Sequence, residues 1–205
     1  MSILPIFLYG SDVLHQEALP VESLDNETIK LIYDMMETMH KANGIGLAAN
    51  QVGELKRVIT IDATNAVEGE GDHEGKSSPN KGNGAQARFV MINPEILQHS
   101  GSWQMEEGCL SIPDVRGDVE RPERIKVRFR NANFDEETLE AEGLLGRVIL
   151  HEIDHLNGVL FVDHLSKTKR SLLMSKLRKI KKGEIEAAYP VVIPGPVRKS
   201  RKVEV

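Results

Sequence analysis

The fold prediction rests on the stretch His151-Glu152-Ile153-Asp154-His155. This stretch lies within an apolar segment at residues 143–158. Histidines four residues apart lie on one face of an α-helix, so both imidazoles can bind a single metal ion. Glu152 stands where a general base for a metal-bound water is needed. Asn157-Gly158 follows as a helix stop, which predicts a buried helix ending there. Taken alone, the pattern also fits an amphipathic helix with partly exposed histidines.

The only cysteine, Cys109, is the candidate for a third ligand. Two histidines leave a tetrahedral ion one protein ligand short of the three typical of a catalytic site. A thiolate is a soft ligand that suits Fe²⁺ or Zn²⁺ and disfavours Mg²⁺ or Ca²⁺. Asp154 does not share the face of both histidines, so we expect it to support the site without binding the ion. The combination indicates a metal-dependent hydrolase.

A glycine-rich stretch, Gly44-Ile45-Gly46-Leu47-Ala48-Ala49-Asn50-Gln51, is open to two interpretations. It lacks the third glycine of a dinucleotide-binding fingerprint and the Lys-Ser/Thr pair of a phosphate-binding loop. Small residues would let the backbone approach a ligand closely, with the Gln51 amide as a donor. The alternative is a helix C-cap at Gly44 followed by a tightly packed turn.

Length and hydrophobic periodicity predict one α+β domain, with 40% hydrophobic residues among 205. Periodicity predicts helices at 24–42 and 167–182, the metal-binding helix between them, and strands at 57–62, 89–93, 125–129 and 138–142. Asp25 is the expected cap of the first helix. Residues 63–87 are rich in Gly, Glu, Asn, Ser and Lys, which predicts a flexible surface insertion.

Charge is distributed unevenly. Residues 167–205 hold 12 Lys/Arg and 3 Asp/Glu, a balance of +9 in a chain whose net charge is −5. A basic segment on an acidic body suggests a polyanionic partner, and the alternative is a solvated tail kept soluble by its charge. Met1-Ser2-Ile3-Leu4-Pro5 lacks a basic signal-peptide start, and no apolar run is long enough to span a membrane. We therefore expect a cytoplasmic protein without a membrane or DNA partner.

Three motifs stand in order along the chain: the glycine-rich stretch at 44–51, Glu107-Gly108-Cys109-Leu110-Ser111, and the histidine motif at 151–158. In this order and spacing they resemble those of bacterial peptide deformylases over roughly the first 165 residues. The resemblance implies small β-sheets packed around a central metal-binding helix. It divides the chain into a catalytic domain at 1–166, with the insertion at 63–87, and a basic C-terminal helix and tail at 167–205. Leu150 departs from the family, which commonly has glutamine before the first histidine, and we expect little effect on the chemistry.

The resemblance also implies a role for each matching residue. Cys109, His151 and His155 would bind one divalent metal per chain, natively Fe²⁺, with Zn²⁺, Ni²⁺ or Co²⁺ as substitutes. Glu152 would be the general acid/base, and Gln51 with the Leu110 backbone N–H would stabilise the oxyanion. The implied substrate contacts are Ile45, Gly46, Glu107, Gly108, Arg116 and Leu144. Arg116 and Arg121 match arginines that orient substrate or pair with Glu107.

The implied reaction is removal of the N-formyl group, as formate, from the formyl-methionine of newly made proteins. Metal-bound water would attack the formyl carbon, with Glu152 transferring the proton. The partners would be N-formyl-methionyl nascent peptides and, through the basic C-terminal segment, the ribosome or its RNA.

Two other functions use some of the same residues. A zinc endopeptidase or aminopeptidase also carries His-Glu-x-x-His, but it normally recruits a third His or Glu downstream and gives the glycine and cysteine motifs no role. A metal-stabilised ribosome-binding module would leave Glu152 and Gln51 idle, and a structural zinc site prefers four protein ligands. Cleavage of internal peptide bonds, or ribosome binding without hydrolysis, would distinguish them.

Overall fold

A five-stranded antiparallel sheet forms the largest part of the fold in the computed structural model, which describes residues 2–64 and 88–195. Its strand order is β2 (Gly46–Ala48), β3 (Val58–Asp62), β4 (Arg88–Ser100), β7 (Arg124–Arg130) and β8 (Glu136–Glu142). β7 alternates as predicted, because Ile125, Val127 and Phe129 are buried while their neighbours face outward.

Helix α2 (Gly143–Leu156) carries the two motif histidines and packs against this sheet. Ile149 and Ile153 join Val127 in one core cluster, so the apolar residues around the motif bury the helix. Asn157 caps the helix, and Gly158 follows with φ +72°, the left-handed conformation of a glycine stop. Both the helix and its end are confirmed.

Helix α1 (Asn26–Lys41) begins as predicted, because the Asp25 side chain accepts a hydrogen bond of 2.7 Å from the Thr28 N–H. Its end differs from the expectation of a cap at Gly44. Asn43 takes the left-handed conformation (φ +54°). A Cβ at Gly44 would lie 2.8 Å from Leu110 Cδ1, so a larger residue there would require the Leu110 side chain to shift.

A separate hairpin carries the cysteine. β5 (Trp103–Cys109) and β6 (Ile112–Arg121) pair antiparallel around a turn at Leu110 and Ser111. Helix α3 (Lys167–Lys181) packs against this hairpin through the buried Leu177 and Ile180. The C-terminal β9 (Val191–Val192) pairs in parallel with β1 (Ile6–Phe7). Neither β6 nor β9 was expected from the sequence.

Strand β4 is longer than the predicted 89–93 and continues through Pro94. Proline cannot donate to a strand ladder. Here it lies at an irregularity, since the register to β7 shifts between Ile92 and Glu95 and Asn93 has φ +53°. The bulge accommodates the proline and lets the strand continue.

Most of the predicted insertion at 63–87 lies outside the described residues, as does the tail at 196–205. Among the described residues, no helix is long and apolar enough to cross a membrane. The predicted division after residue 166 stays a prediction.

Candidate metal centre

The three predicted metal ligands converge. Cys109 ends β5, while His151 and His155 lie one turn apart on α2. Their ligand atoms lie within 4.8 Å of one another, and Cys109 Sγ is 3.1 Å from His155 Nε2. Metal–ligand bonds of about 2.0–2.3 Å place neighbouring ligand atoms about 3–4 Å apart, so the spacing fits a single ion.

The chemistry of the donor set also fits a divalent ion. Two imidazoles and one thiolate form a ligand group typical of zinc and iron sites. Burial lowers the pKa of His155 well below its usual value. His155 is therefore neutral, the form in which an imidazole binds a metal.

Glu107 orients the first of these histidines. Its carboxylate accepts a bond of 3.0 Å from His151 Nδ1 and a bidentate pair from Arg121, of 2.5 and 3.0 Å. Burial opposes the charge on Glu107, but hydrogen bonds from His151 and Arg121 outweigh it and hold the pKa well below its usual value. A carboxylate on one ring nitrogen turns the other nitrogen toward the ion.

A second buried arginine, Arg147, also donates to Glu107, at 2.7 Å. The sequence interpretation missed it. The signal was a charged residue in an otherwise apolar helical segment, four residues before His151 and thus on the same face. Asp154 accepts bonds of 2.7 Å from both Arg121 and His164, which agrees with its expected supporting position.

Glu152 is buried beside the glycine-rich stretch. Burial raises its pKa to about 7, and its Oε2 has no hydrogen-bond partner among the described residues. A Cβ at position 46 would overlap the Glu152 carboxyl group, because it would lie only 2.9 Å from Glu152 Cδ. Gly46 therefore makes room for the carboxylate, and the close approach of the backbone to a ligand stays a prediction.

Gln51 lies in a short buried helical turn directly after β2. Its Oε1 accepts a bond of 2.8 Å from the Ala48 N–H, which turns its amide nitrogen toward the cysteine. That nitrogen lies 3.4 Å from Cys109 Sγ and 3.3 Å from Ser111 Oγ. The Leu110 N–H lies in the neighbouring hairpin turn, and no hydrogen-bond acceptor is found for it among the described residues.

A cavity of about 660 Å³ opens onto these groups. The predicted site residues that line it are Ile45, Gly46, Gln51, Glu107, Gly108, Cys109, Leu110, Arg116, Leu144, His151 and Glu152. The sequence left open which of Arg116 and Arg121 pairs with Glu107 and which orients substrate. Arg121 contacts Glu107, and Arg116 lies at the cavity, 3.8 Å from Glu106. The C-terminal residues 186–189 also line the cavity, a contribution for which the sequence carries no signal.

Comparison with known proteins gives a consistent result. The family described as polypeptide deformylase matches residues 3–171. The chain is 48% identical to a peptide deformylase of Salinibacter ruber over 191 residues, which cover 93% of this chain and 94% of that one.

Solved structures agree. The crystal structure of a peptide deformylase from Ehrlichia chaffeensis superimposes with a TM-score of 0.77 at 35% identity, covering 90% of this chain and 98% of that one. The same organism's enzyme in complex with actinonin gives a TM-score of 0.75 at 37% identity, covering 91% of this chain and all of that one.

Proposed function

This chain belongs to the polypeptide deformylase family and is a peptide deformylase, and from that premise we propose that it works as a metal-dependent hydrolase. It would release formate from the N-terminal formyl-methionine of newly made proteins. The observation that carries this proposal is the convergence of Cys109, His151 and His155 beside a cavity whose wall includes Cys109, His151 and the buried Glu152 carboxyl. The cytoplasmic location follows from such a substrate and stays a prediction.

Cys109, His151 and His155 would hold the ion, for which we predict Fe²⁺, with Zn²⁺, Ni²⁺ or Co²⁺ as substitutes. When bound, such an ion supplies Lewis-acid chemistry, lowering the pKa of a water molecule and polarising a carbonyl oxygen. Glu107 keeps His151 oriented for this purpose through its 3.0 Å bond to Nδ1.

Glu152 is the proposed general acid/base. Its unpartnered Oε2 is free to accept a proton from the attacking water and return it to the leaving amine. The Gln51 amide and the Leu110 N–H are the proposed donors to the formyl oxygen as negative charge develops there. Both lie beside Cys109, with Gln51 in a buried helical turn and Leu110 in the hairpin turn.

Gly46 is the proposed partner of the substrate backbone. It lies in β2, which is the edge strand of the five-stranded sheet and pairs with β3 alone among the described strands. An edge strand presents unpaired N–H and C=O groups that an extended peptide can pair with. Ile45 and Leu144 line the cavity beside it and are the proposed contacts of the methionine side chain.

The test is formate release from a formyl-methionyl tripeptide by full-length protein loaded with Fe²⁺ without oxygen. Glu152→Gln should lower the rate by about 10³-fold while retaining the metal, because it removes the proton acceptor alone. Glu37→Gln, on the exposed face of α1, is the matched control and should keep the wild-type rate. Competition by actinonin, found with the Ehrlichia relative, provides an independent binding readout. A metal-loaded wild type that releases no formate would overturn the proposal, and cleavage of internal peptide bonds would favour a peptidase.

For the basic segment we propose contact with ribosomal RNA through the exposed face of α3. Arg178, Lys179 and Lys181 are exposed and have no acidic partner among the described residues. Lysines and arginines in this state bind phosphates with release of counterions, so binding should weaken as salt rises. The alternative, a solvated segment kept soluble by its charge, predicts no ribosome binding.

Charge reversal tests this contact more cleanly than truncation after Ser166, which would also remove the buried Leu177 and Ile180. Arg178→Glu with Lys179→Glu should reduce co-sedimentation with ribosomes about tenfold and flatten its salt dependence. Lys41→Glu, on α1, is the control. Co-sedimentation unchanged by the double substitution would contradict the proposal.

A further inference from the structure

The C-terminal segment at 183–192 returns from α3 across the cavity. Gly183 allows the reversal, with φ +72° and the Ile193 side chain packed where a Cβ would lie. Residues 186–189 then line the cavity wall. The segment is tied to the N-terminal strand, because the N–H groups of Ile6 and Leu8 donate to Pro190 O at 2.9 Å and Val192 O at 3.0 Å.

Tyr189 connects this segment to the hairpin turn beside the proposed metal ligand. Its phenol donates a hydrogen bond of 2.7 Å to the carbonyl oxygen of Leu110, 79 residues away. The ring packs against the core cluster of α1, β2 and β3. Burial raises the pKa of Tyr189 to about 12, so the phenol keeps its proton and acts as a donor at neutral pH.

The peptide that Tyr189 contacts is the central one of the turn. Cys109 and Ile112 pair across the turn, which leaves Leu110 and Ser111 at its tip. The carbonyl and the N–H of Leu110 flank the same Cα, so a hydrogen bond that fixes the Leu110 carbonyl restrains the Leu110 backbone as a whole. Movement of the tip of the turn would displace the Leu110 carbonyl and the Leu110 N–H together.

The remaining groups at the turn hold Ser111. The Tyr9 N–H donates to Ser111 O at 2.8 Å, and Gln51 lies 3.3 Å from Ser111 Oγ. Among the described residues, the Tyr189 phenol is the partner found for the Leu110 carbonyl. Without this hydrogen bond, the Leu110 backbone loses the contact that holds it in place, and the Leu110 N–H moves with it.

We propose that Tyr189 is a positioning residue, whose hydrogen bond to the Leu110 carbonyl holds the hairpin turn so that the Leu110 N–H faces the reacting carbonyl of the substrate. This proposal rests on the proposed deformylase function. The Leu110 N–H would donate to the oxyanion as it develops in the transition state. Misplacing that N–H should therefore lower kcat more than it changes KM.

The experiment compares wild type, Tyr189→Phe and Tyr33→Phe as full-length proteins loaded with Co²⁺. Tyr33 is exposed on α1, so its variant controls for loss of a phenol hydroxyl elsewhere. Tyr189→Phe should lower kcat for a formyl-methionyl tripeptide about tenfold and change KM less than about twofold. The kcat effect is smaller than the ~10²–10³ of a deleted oxyanion donor, because the N–H remains but is mispositioned.

Amide hydrogen exchange supplies a readout that does not depend on turnover. The amide of Ile112, which pairs with Cys109 across the turn, should exchange at least about fivefold faster in Tyr189→Phe, while those of α2 keep their rates. An unchanged Co²⁺ absorption spectrum would show that the ligands are intact. Unchanged exchange at the turn, or an unchanged kcat in an active enzyme, would overturn the proposal. A wild type without formate release would instead overturn the proposed function.

Discussion

At the scale of single residues, Glu107 does most to organise the centre. Arg121, Arg147 and His151 all donate to one carboxylate that is 6% exposed. Buried charges are tolerated only when they are paired and hydrogen-bonded, so each member of this group depends on the others. The same network that keeps the arginines buried also sets the orientation of a proposed metal ligand.

Glu107→Gln should therefore weaken both stability and metal binding. An amide leaves the buried Arg147 guanidinium without a counter-charge and leaves Arg121 with Asp154 alone, which we expect to cost about 3 kcal/mol of unfolding free energy. Loss of the carboxylate on His151 should lower metal affinity about 10–100-fold. Urea unfolding and competition with a chelator measure the two effects. The neighbouring Glu106, which is exposed, offers the control Glu106→Gln. Wild-type metal affinity in Glu107→Gln would contradict this description of the network.

At the scale of elements, helix α3 combines two surfaces. Leu177 and Ile180 are buried against the hairpin that carries Cys109, whereas Leu172 is 79% exposed. The basic residues occupy the outward side. Docking this helix therefore supports the hairpin from behind while leaving the charged side available to a partner.

A matched pair of substitutions on α3 measures how much the docking contributes. Leu177→Ala should cost about 2–4 kcal/mol of unfolding free energy, because it opens a cavity in the core. Leu172→Ala, the same change on the exposed side, should stay within about 0.5 kcal/mol of wild type. Denaturant unfolding at equal metal loading compares them. Equal stabilities of the two variants would show that α3 is not docked as described.

At the scale of the whole molecule, the metal centre joins two separate parts of the fold. Cys109 comes from the β5–β6 hairpin, and the histidines come from the helix on the five-stranded sheet. An ion held by all three would crosslink them. A ligand that binds the folded state alone stabilises it according to its concentration relative to its Kd.

Removal of the metal with a chelator should consequently lower the melting temperature. At a free metal concentration about 1,000 times the Kd, the lost stabilisation is about 4 kcal/mol. Differential scanning calorimetry with and without chelator measures it, and re-addition of the metal should restore the transition. Cys109→Ser, which weakens the site, should respond much less. If the chelator left the melting temperature of wild type unchanged, the ion would not bridge the hairpin and the helix.

The sequence by itself determined the elements whose causes are local. The His151–His155 spacing, the Asp25 cap and the alternation of β7 all depend on contacts within a few residues, and the structure has each of them. It also identified the family, because three motifs stand in order along the chain. The full length of β4 was not predicted from the sequence, because Pro94 argues against a strand. Pairing with β3 and β7 around a bulge overrides that preference.

The tertiary structure alone decided which distant residues meet. Arg147 reaches Glu107 across 40 residues, and Tyr189 reaches Leu110 across 79. Periodicity and caps carry no information about such pairs, because a side chain's direction in an element does not specify what packs against it. Those contacts form when helices and sheets bury their apolar faces together, and the polar groups brought into the interior must then find partners.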